Sequence, residues 1–188
     1  MNALLVLALG LLQVSQASFG WWGCPEVDFI HDLNLEKYMG TWYEIIRDST
    51  MPWEYGSCDK AQYTLLEGKE YFQVVNSEVR QGQWESAYAK GYPQPNGSVN
   101  VDFFWWSPPG NLKIVDTDYT SYSIAHSCQS FGLFHWSYNW LLKRRQSSGY
   151  SDEEEKTIIS LGTSPDDVFY TSQKDCPPFK STQLLVEN

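Results

Sequence analysis

The side chains best equipped for covalent chemistry in this 188-residue chain are four cysteines, Cys24, Cys58, Cys128 and Cys176. They lie far apart and form no Cys-x-x-Cys pair, which argues against a zinc site or a dithiol redox centre. An even number in an exported chain predicts two disulfides, and spacing alone leaves three pairings open. No Gly-x-Ser-x-Gly elbow and no His-Glu-x-x-His motif is present, so hydrolytic machinery has no visible seat. His126 could offer a donor to a carboxylate or a pigment. Like His135, it more often serves as a satisfied structural or surface imidazole. The sequon Asn96-Gly97-Ser98 falls in a Pro/Gly-rich turn, where a glycan on Asn96 is expected. No metal site and no cofactor is expected.

The N-terminus supports export. Leu4 to Leu12 is an apolar run too short to span a bilayer, and small residues at Ser15 and Ala17 have the spacing that a signal peptidase reads. Residues 1–17 are therefore expected to be a removed signal peptide and 18–188 a single secreted domain. The n-region departs from the usual pattern, because Met1-Asn2-Ala3 carries no Lys or Arg. The formal net charge is −10, which disfavours nucleic acid and anionic membranes. Lys143-Arg144-Arg145 is too short for a basic binding stripe. No second long apolar run follows, so no integral membrane association is expected. Aromatic residues make up 16% of the chain, which calls for a dense core or a lined pocket. The roles of Trp21 and Trp22, and any oligomeric state, are open at this level.

The elements that must position these groups are short strands. The expected strands are Thr41 to Arg47, Lys60 to Leu66, Tyr71 to Ser77, Trp84 to Gly91, Ser98 to Trp106, Leu112 to Thr117, Ser121 to Cys128 and Phe134 to Lys143. Turn signals such as Pro93-Gln94-Pro95-Asn96-Gly97 separate them. Eight strands at even spacing suggest a sandwich or an up-and-down barrel. The alternation of Val99, Val101, Phe103 and Trp105 gives one apolar face. One helix is expected after Ser151. Ser151 and Glu154 form a capping box, Asp152 to Glu155 complement the helix dipole, Ile158, Ile159 and Leu161 give the stripe, and Gly162 stops it.

Three stretches resemble the lipocalin family, in its apolipoprotein D-like branch. Gly40-Thr41-Trp42-Tyr43-Glu44-Ile45, preceded by Asn34-Leu35-Glu36-Lys37-Tyr38-Met39, is similar to the first signature. Thr117-Asp118-Tyr119 with Tyr122 is similar to the second, and Trp140-Leu141-Leu142-Lys143-Arg144 to the third. The tail Thr171-Ser172-Gln173-Lys174-Asp175-Cys176-Pro177 also fits this branch. The resemblance covers about Cys24 to Pro177. It implies an all-β, eight-stranded up-and-down antiparallel barrel with one C-terminal α-helix packed outside. It also implies the pairings Cys24 with Cys128 and Cys58 with Cys176. Gly40, Trp42, Thr117, Asp118, Tyr119 and Arg144 are expected to be structural, with Arg144 stacked on Trp42 at the closed end.

The resemblance further implies a secreted carrier whose barrel holds a small hydrophobic ligand: a sterol, retinoid, fatty acid, or a pigment such as a bilin or carotenoid. It places Tyr63 and Trp140 in the pocket. Counting outward from them by twos adds Ala61, Leu65, Trp136 and Tyr138, and the alternating strand adds Val101, Phe103 and Trp105. An isomerase-type lipocalin enzyme would need a free thiol, and four paired cysteines leave none, so no enzymatic activity is expected. An antioxidant or signalling role, with Met39 and Met51 as sacrificial groups, is the weaker alternative.

Overall fold

The computed structural model describes residues 19–103, 108–146 and 148–179. In chain order it contains β1 (Phe19–Trp21), α1 (Leu35–Tyr38), β2 (Gly40–Asp48), β3 (Ser57–Leu65), β4 (Phe72–Arg80), β5 (Gln83–Pro93), β6 (Val99–Asp102), β7 (Gly110–Thr117), β8 (Tyr122–Ser130), β9 (Phe134–Lys143), α2 (Asp152–Ser160) and β10 (Val168–Tyr170). Each strand from β2 to β9 pairs with the next, and β9 returns to β2 through Tyr43↔Lys143 and Arg47↔Trp140. The sheet is thus an eight-stranded antiparallel barrel with no open edge in its wall. Its hairpins follow local turn chemistry. Gln81 and Gly82 both have positive φ, 49° and 77°, the geometry that joins two right-twisted strands with a two-residue turn.

Alternation sorts the side chains into two cores. Trp42, Ala61, Tyr63, Phe72, Val74, Ala89, Val99, Val101, Ile114, Ala125 and Leu142 cluster inside the barrel. Outside, α2 lays Ile158 against Ile45, Ile46, Ile124 and Leu141. The helix starts as its residues demand: Ser151 accepts from the Glu154 amide while the Glu154 carboxylate accepts from the Ser151 amide. A bulge between Glu44 and Ile46 resets the alternation of β2. Ile45 and Ile46 both join the outer core, while Glu44 and Arg47 take the inward face.

The strand expected over Ser98 to Trp106 is shorter, ending at Asp102, and residues 104–107 lie outside the described residues. β3 begins earlier than expected. Cys58 adopts φ 62° in a register shift between Ser57 and Lys60, which patterning does not signal. β1 and β10 are added to the barrel wall from the two tails. β1 pairs with β9, and β10 pairs with β2.

β2 and β3 pair only over Gly40 to Tyr43, then splay apart. The C-terminal segment fills the gap. Thr171 N–H donates to Ile45 O at 3.0 Å, Cys58 N–H to Ser172 O at 2.8 Å, and the Gln173 amide to both Glu44 O and Asp59 O at 2.8 Å. Cys58 is bonded to Cys176 and Cys24 to Cys128. One bridge locks this wedge; the other ties the N-terminal arm to β8. Closing loops of this length contributes about 4 to 5 kcal/mol each in the chain-entropy account.

Candidate functional site

The barrel interior is closed at one end. Trp42 is fully buried there, its Nε1–H donating to Tyr38 O at 2.9 Å. The Arg144 guanidinium lies 3.6 Å above the Trp42 ring. It donates to Tyr119 O, Thr41 O, Lys37 O and Tyr38 O at 2.9–3.2 Å, so one side chain sews α1, β2 and the β7–β8 turn together. Gly40 has φ 96°, and a Cβ there would meet Arg144 Nη1 at 3.2 Å. Thr117 Oγ1 donates to Tyr122 O and accepts from the Tyr119 amide. Asp118 accepts from the amides of Thr120, Ser121 and Tyr122. Burial pushes the Asp118 carboxyl up, but the Ser121 hydroxyl and these amides outweigh it and hold the group well below the usual carboxylate range.

Above this floor stands an aromatic layer. Tyr63 stacks on Tyr38 with centroids 5.7 Å apart and meets Phe72 edge-on at 5.8 Å. Other inward positions are small: Ala61, Ala89 and Ala125 are buried in the same core, and Ala125 pairs with Trp140 across β8 and β9. Tyr138 is buried, and Trp53 from the β2–β3 loop meets it edge-on at 5.0 Å.

The nine pocket residues expected from the sequence do not all fall here. Tyr63, Ala61, Val101, Trp140 and Tyr138 lie in or against the interior, and Phe103 packs on it. Leu65 is 48% exposed, because β3 runs past the floor before turning. Trp136 is 42% exposed at the rim, packed on Phe131 and Phe134. Trp105 lies outside the described residues. His126 faces away from the chamber. It is fully buried, with Nδ1 bonded to Asn139 Oδ1 at 2.7 Å, and Asn139 donates in turn to Thr163. Met51 is 1% exposed, which argues against its use as a sacrificial oxidant.

The sequence reading missed a buried charged group in the upper chamber. Glu44, Arg47 and Asp59 are each at most 5% exposed. Glu44 accepts from the Thr171 hydroxyl and lies 3.3 Å from Arg47 Nε. Glu54, on the β2–β3 loop, accepts from Trp140 Nε1–H at 3.3 Å, and its charge bears on Glu44. Burial raises the Glu44 and Glu54 carboxyls, and neighbouring carboxylates raise Glu44 further. Burial, then Glu54 and Glu78, push Asp59 up to about 7. A signal existed: counting back by twos from Tyr63 and Ala61 reaches Asp59, and counting on from Trp42 reaches Glu44.

Comparison with known proteins places this geometry. A family profile for the lipocalin-like domain matches residues 33–160. Apolipoprotein D of Rattus norvegicus is 30% identical over 190 residues, covering 95% of this chain and 98% of that one. The bilin-binding protein of Pieris brassicae is 27% identical, over 77% of this chain and 78% of that one. Insecticyanin from the tobacco hornworm Manduca sexta superposes with a TM-score of 0.65 over 83% of this chain and 89% of that one, at 19% identity.

Proposed function

The chain belongs to the lipocalin family, and from that premise we propose that it is a secreted carrier of one small hydrophobic molecule, held in the upper barrel. The observation that carries this reading is a closed barrel whose inner face is lined by Ala61, Ala89, Ala125, Tyr63 and Trp140 above a floor sealed by Trp42 and Arg144. Aromatic walls favour flat or rigid guests, which stack with little entropy loss. The name of the Pieris brassicae relative records that a bilin is bound by that protein, which keeps pigments among the guests proposed here. Burial of about 300 Å2 of apolar surface gives roughly 7 kcal/mol gross, and micromolar binding after association costs. Both disulfides together engage all four thiols, so thiol-based isomerase chemistry has no nucleophile.

Export and glycosylation belong to the same proposal. The mature chain would begin near Ser18 and carry a glycan on Asn96, which is exposed in the β5–β6 turn. Organic extraction of the native secreted protein, followed by mass spectrometry, tests the carrier reading. A stoichiometric apolar compound is expected, together with saturable quenching of Trp fluorescence when it is added back. An empty extract, with no quenching by a retinoid, a sterol or a bilin, would overturn it. Intact mass before and after glycan release reads the leader and Asn96 in the same sample.

A further inference from the structure

The upper chamber has the wrong charge for an anionic guest. Three carboxyl groups, Glu44, Glu54 and Asp59, face one guanidinium. Arg47 is partly engaged: Nη1 donates to Asp48 O at 3.3 Å and the guanidinium carbon sits 4.1 Å over the Phe169 ring, while Nε lies 3.3 Å from Glu44 as an ion pair but makes no hydrogen bond. The remaining acidity has no cation. Asp59 is 5% exposed, yet its Oδ2 has no hydrogen-bond partner. Asn76 pairs with Ala61 across β3 and β4, and its buried Oδ1 also lacks a partner. Buried acceptors without donors are rare and costly, and Asn76 lies opposite Ala61, two residues along β3 from Asp59, so the two acceptors mark a stretch of wall where a donor belongs.

We propose that this chamber recognises a cationic amphiphile, an apolar body ending in a primary ammonium, whose head is held by Asp59 and the Glu44–Glu54 pair and lies against the Trp140 ring. The proposal rests on the carrier reading and narrows its ligand class. An ammonium supplies three donors and one positive charge, matching the excess of acceptors and the excess of acid at once. A hydroxyl matches only the first. A carboxylate would add a fourth acid to the group and meet its repulsion. The neighbouring ring of Trp140, whose Nε1–H reaches Glu54, offers a face to a desolvated cation.

Proton linkage follows from the same geometry. Buried among its neighbours, Asp59 is pushed up to about 7, and burial with the charges of Glu54 and Asp59 raises Glu44. The other charged groups facing them are Arg47 and Asp48 from β2 and Glu78 from β4. Asp48 accepts from Thr50. Glu78 is occupied by the Tyr55 and Gly56 amides and by Arg80 at 2.6 Å. From β9 comes Tyr138, and burial raises its phenol to about 12. From the C-terminal wedge come only the uncharged Thr171 and Gln173. The protons held by the acid group are therefore what an incoming ammonium displaces.

Calorimetric titration of the delipidated native protein with n-decylamine, n-decanol and n-decanoate tests the proposal. The amine is expected to bind about tenfold or more tightly than the alcohol, and decanoate more weakly than either. Amine binding should release a fraction of a proton near pH 7, read from buffers of different ionisation enthalpy. Its affinity should rise with pH from about 5 to 8. Asp59→Asn should bring the amine-to-alcohol ratio close to one and abolish most of the proton release. Glu54→Gln, on a loop rather than a barrel strand, should lower the ratio in the same direction. Equal binding of amine and alcohol by the native protein, or an unchanged ratio in both variants, overturns the proposal while the carrier reading stands. Binding of none of the three overturns both.

Discussion

At the scale of single residues, the closed end depends on Arg144 more than on any other polar group. Its guanidinium satisfies four carbonyls and covers Trp42. Arg144→Ala leaves those carbonyls without their donor and exposes the indole, and should cost about 3 kcal/mol or more in denaturant unfolding. Arg144→Lys should recover less than half of that, because an ammonium cannot fork across several carbonyls or lie flat on the ring. Trp42, Thr117 and Asp118 could be singled out from the sequence because they sit in signatures whose order resembles a known family. Asp59, Glu44 and Arg47 were not, since acidic and basic residues in strands read as outward-facing. Only parity, together with the bulge at Ile45, reveals that they turn inward.

At the scale of elements, strand patterning located all eight barrel strands, and the capping box located α2. The elements that patterning did not show are α1, β1 and β10, of three or four residues each. Pieces that short have no periodicity of their own. They exist because tertiary partners hold them: α1 under Arg144, β1 on β9, and β10 in the gap between β2 and β3. The wedge formed by β10 and the residues after it depends on its disulfide. Cys176→Ser combined with Cys58→Ser should lower stability by up to about 5 kcal/mol. Amide exchange should rise first at Cys58 and Thr171, whose N–H groups the wedge holds, while the strand amides around Trp42 stay protected. Uniform exchange across the barrel would contradict this local role.

At the scale of the whole molecule, the buried acids set a pH dependence of stability. Asp59 has an ordinary pKa near 4 in an unfolded chain and about 7 in the fold. Between those values the native state binds a proton that the unfolded state has lost, so stability is fullest below about pH 4 and declines as pH rises through 7. Asp118 acts in the opposite sense. Its folded carboxyl is depressed, so its contribution is present above about pH 4 and is lost as pH falls further. Tm should therefore peak near pH 4 to 5 and fall toward pH 7.5. Asp59→Asn should flatten the descending limb, and a Tm that rises monotonically from pH 5 to 7.5 would rule out the buried acid as its cause.

The two disulfides are interleaved along the chain, 24 with 128 and 58 with 176. On the proposed export route, Cys24 and Cys58 enter an oxidising lumen before either true partner arrives. The pair most readily joined early is thus a wrong one, and it must be exchanged before the wedge can seat. Yield in a cell should then be limited by thiol exchange after synthesis rather than by formation of the barrel wall.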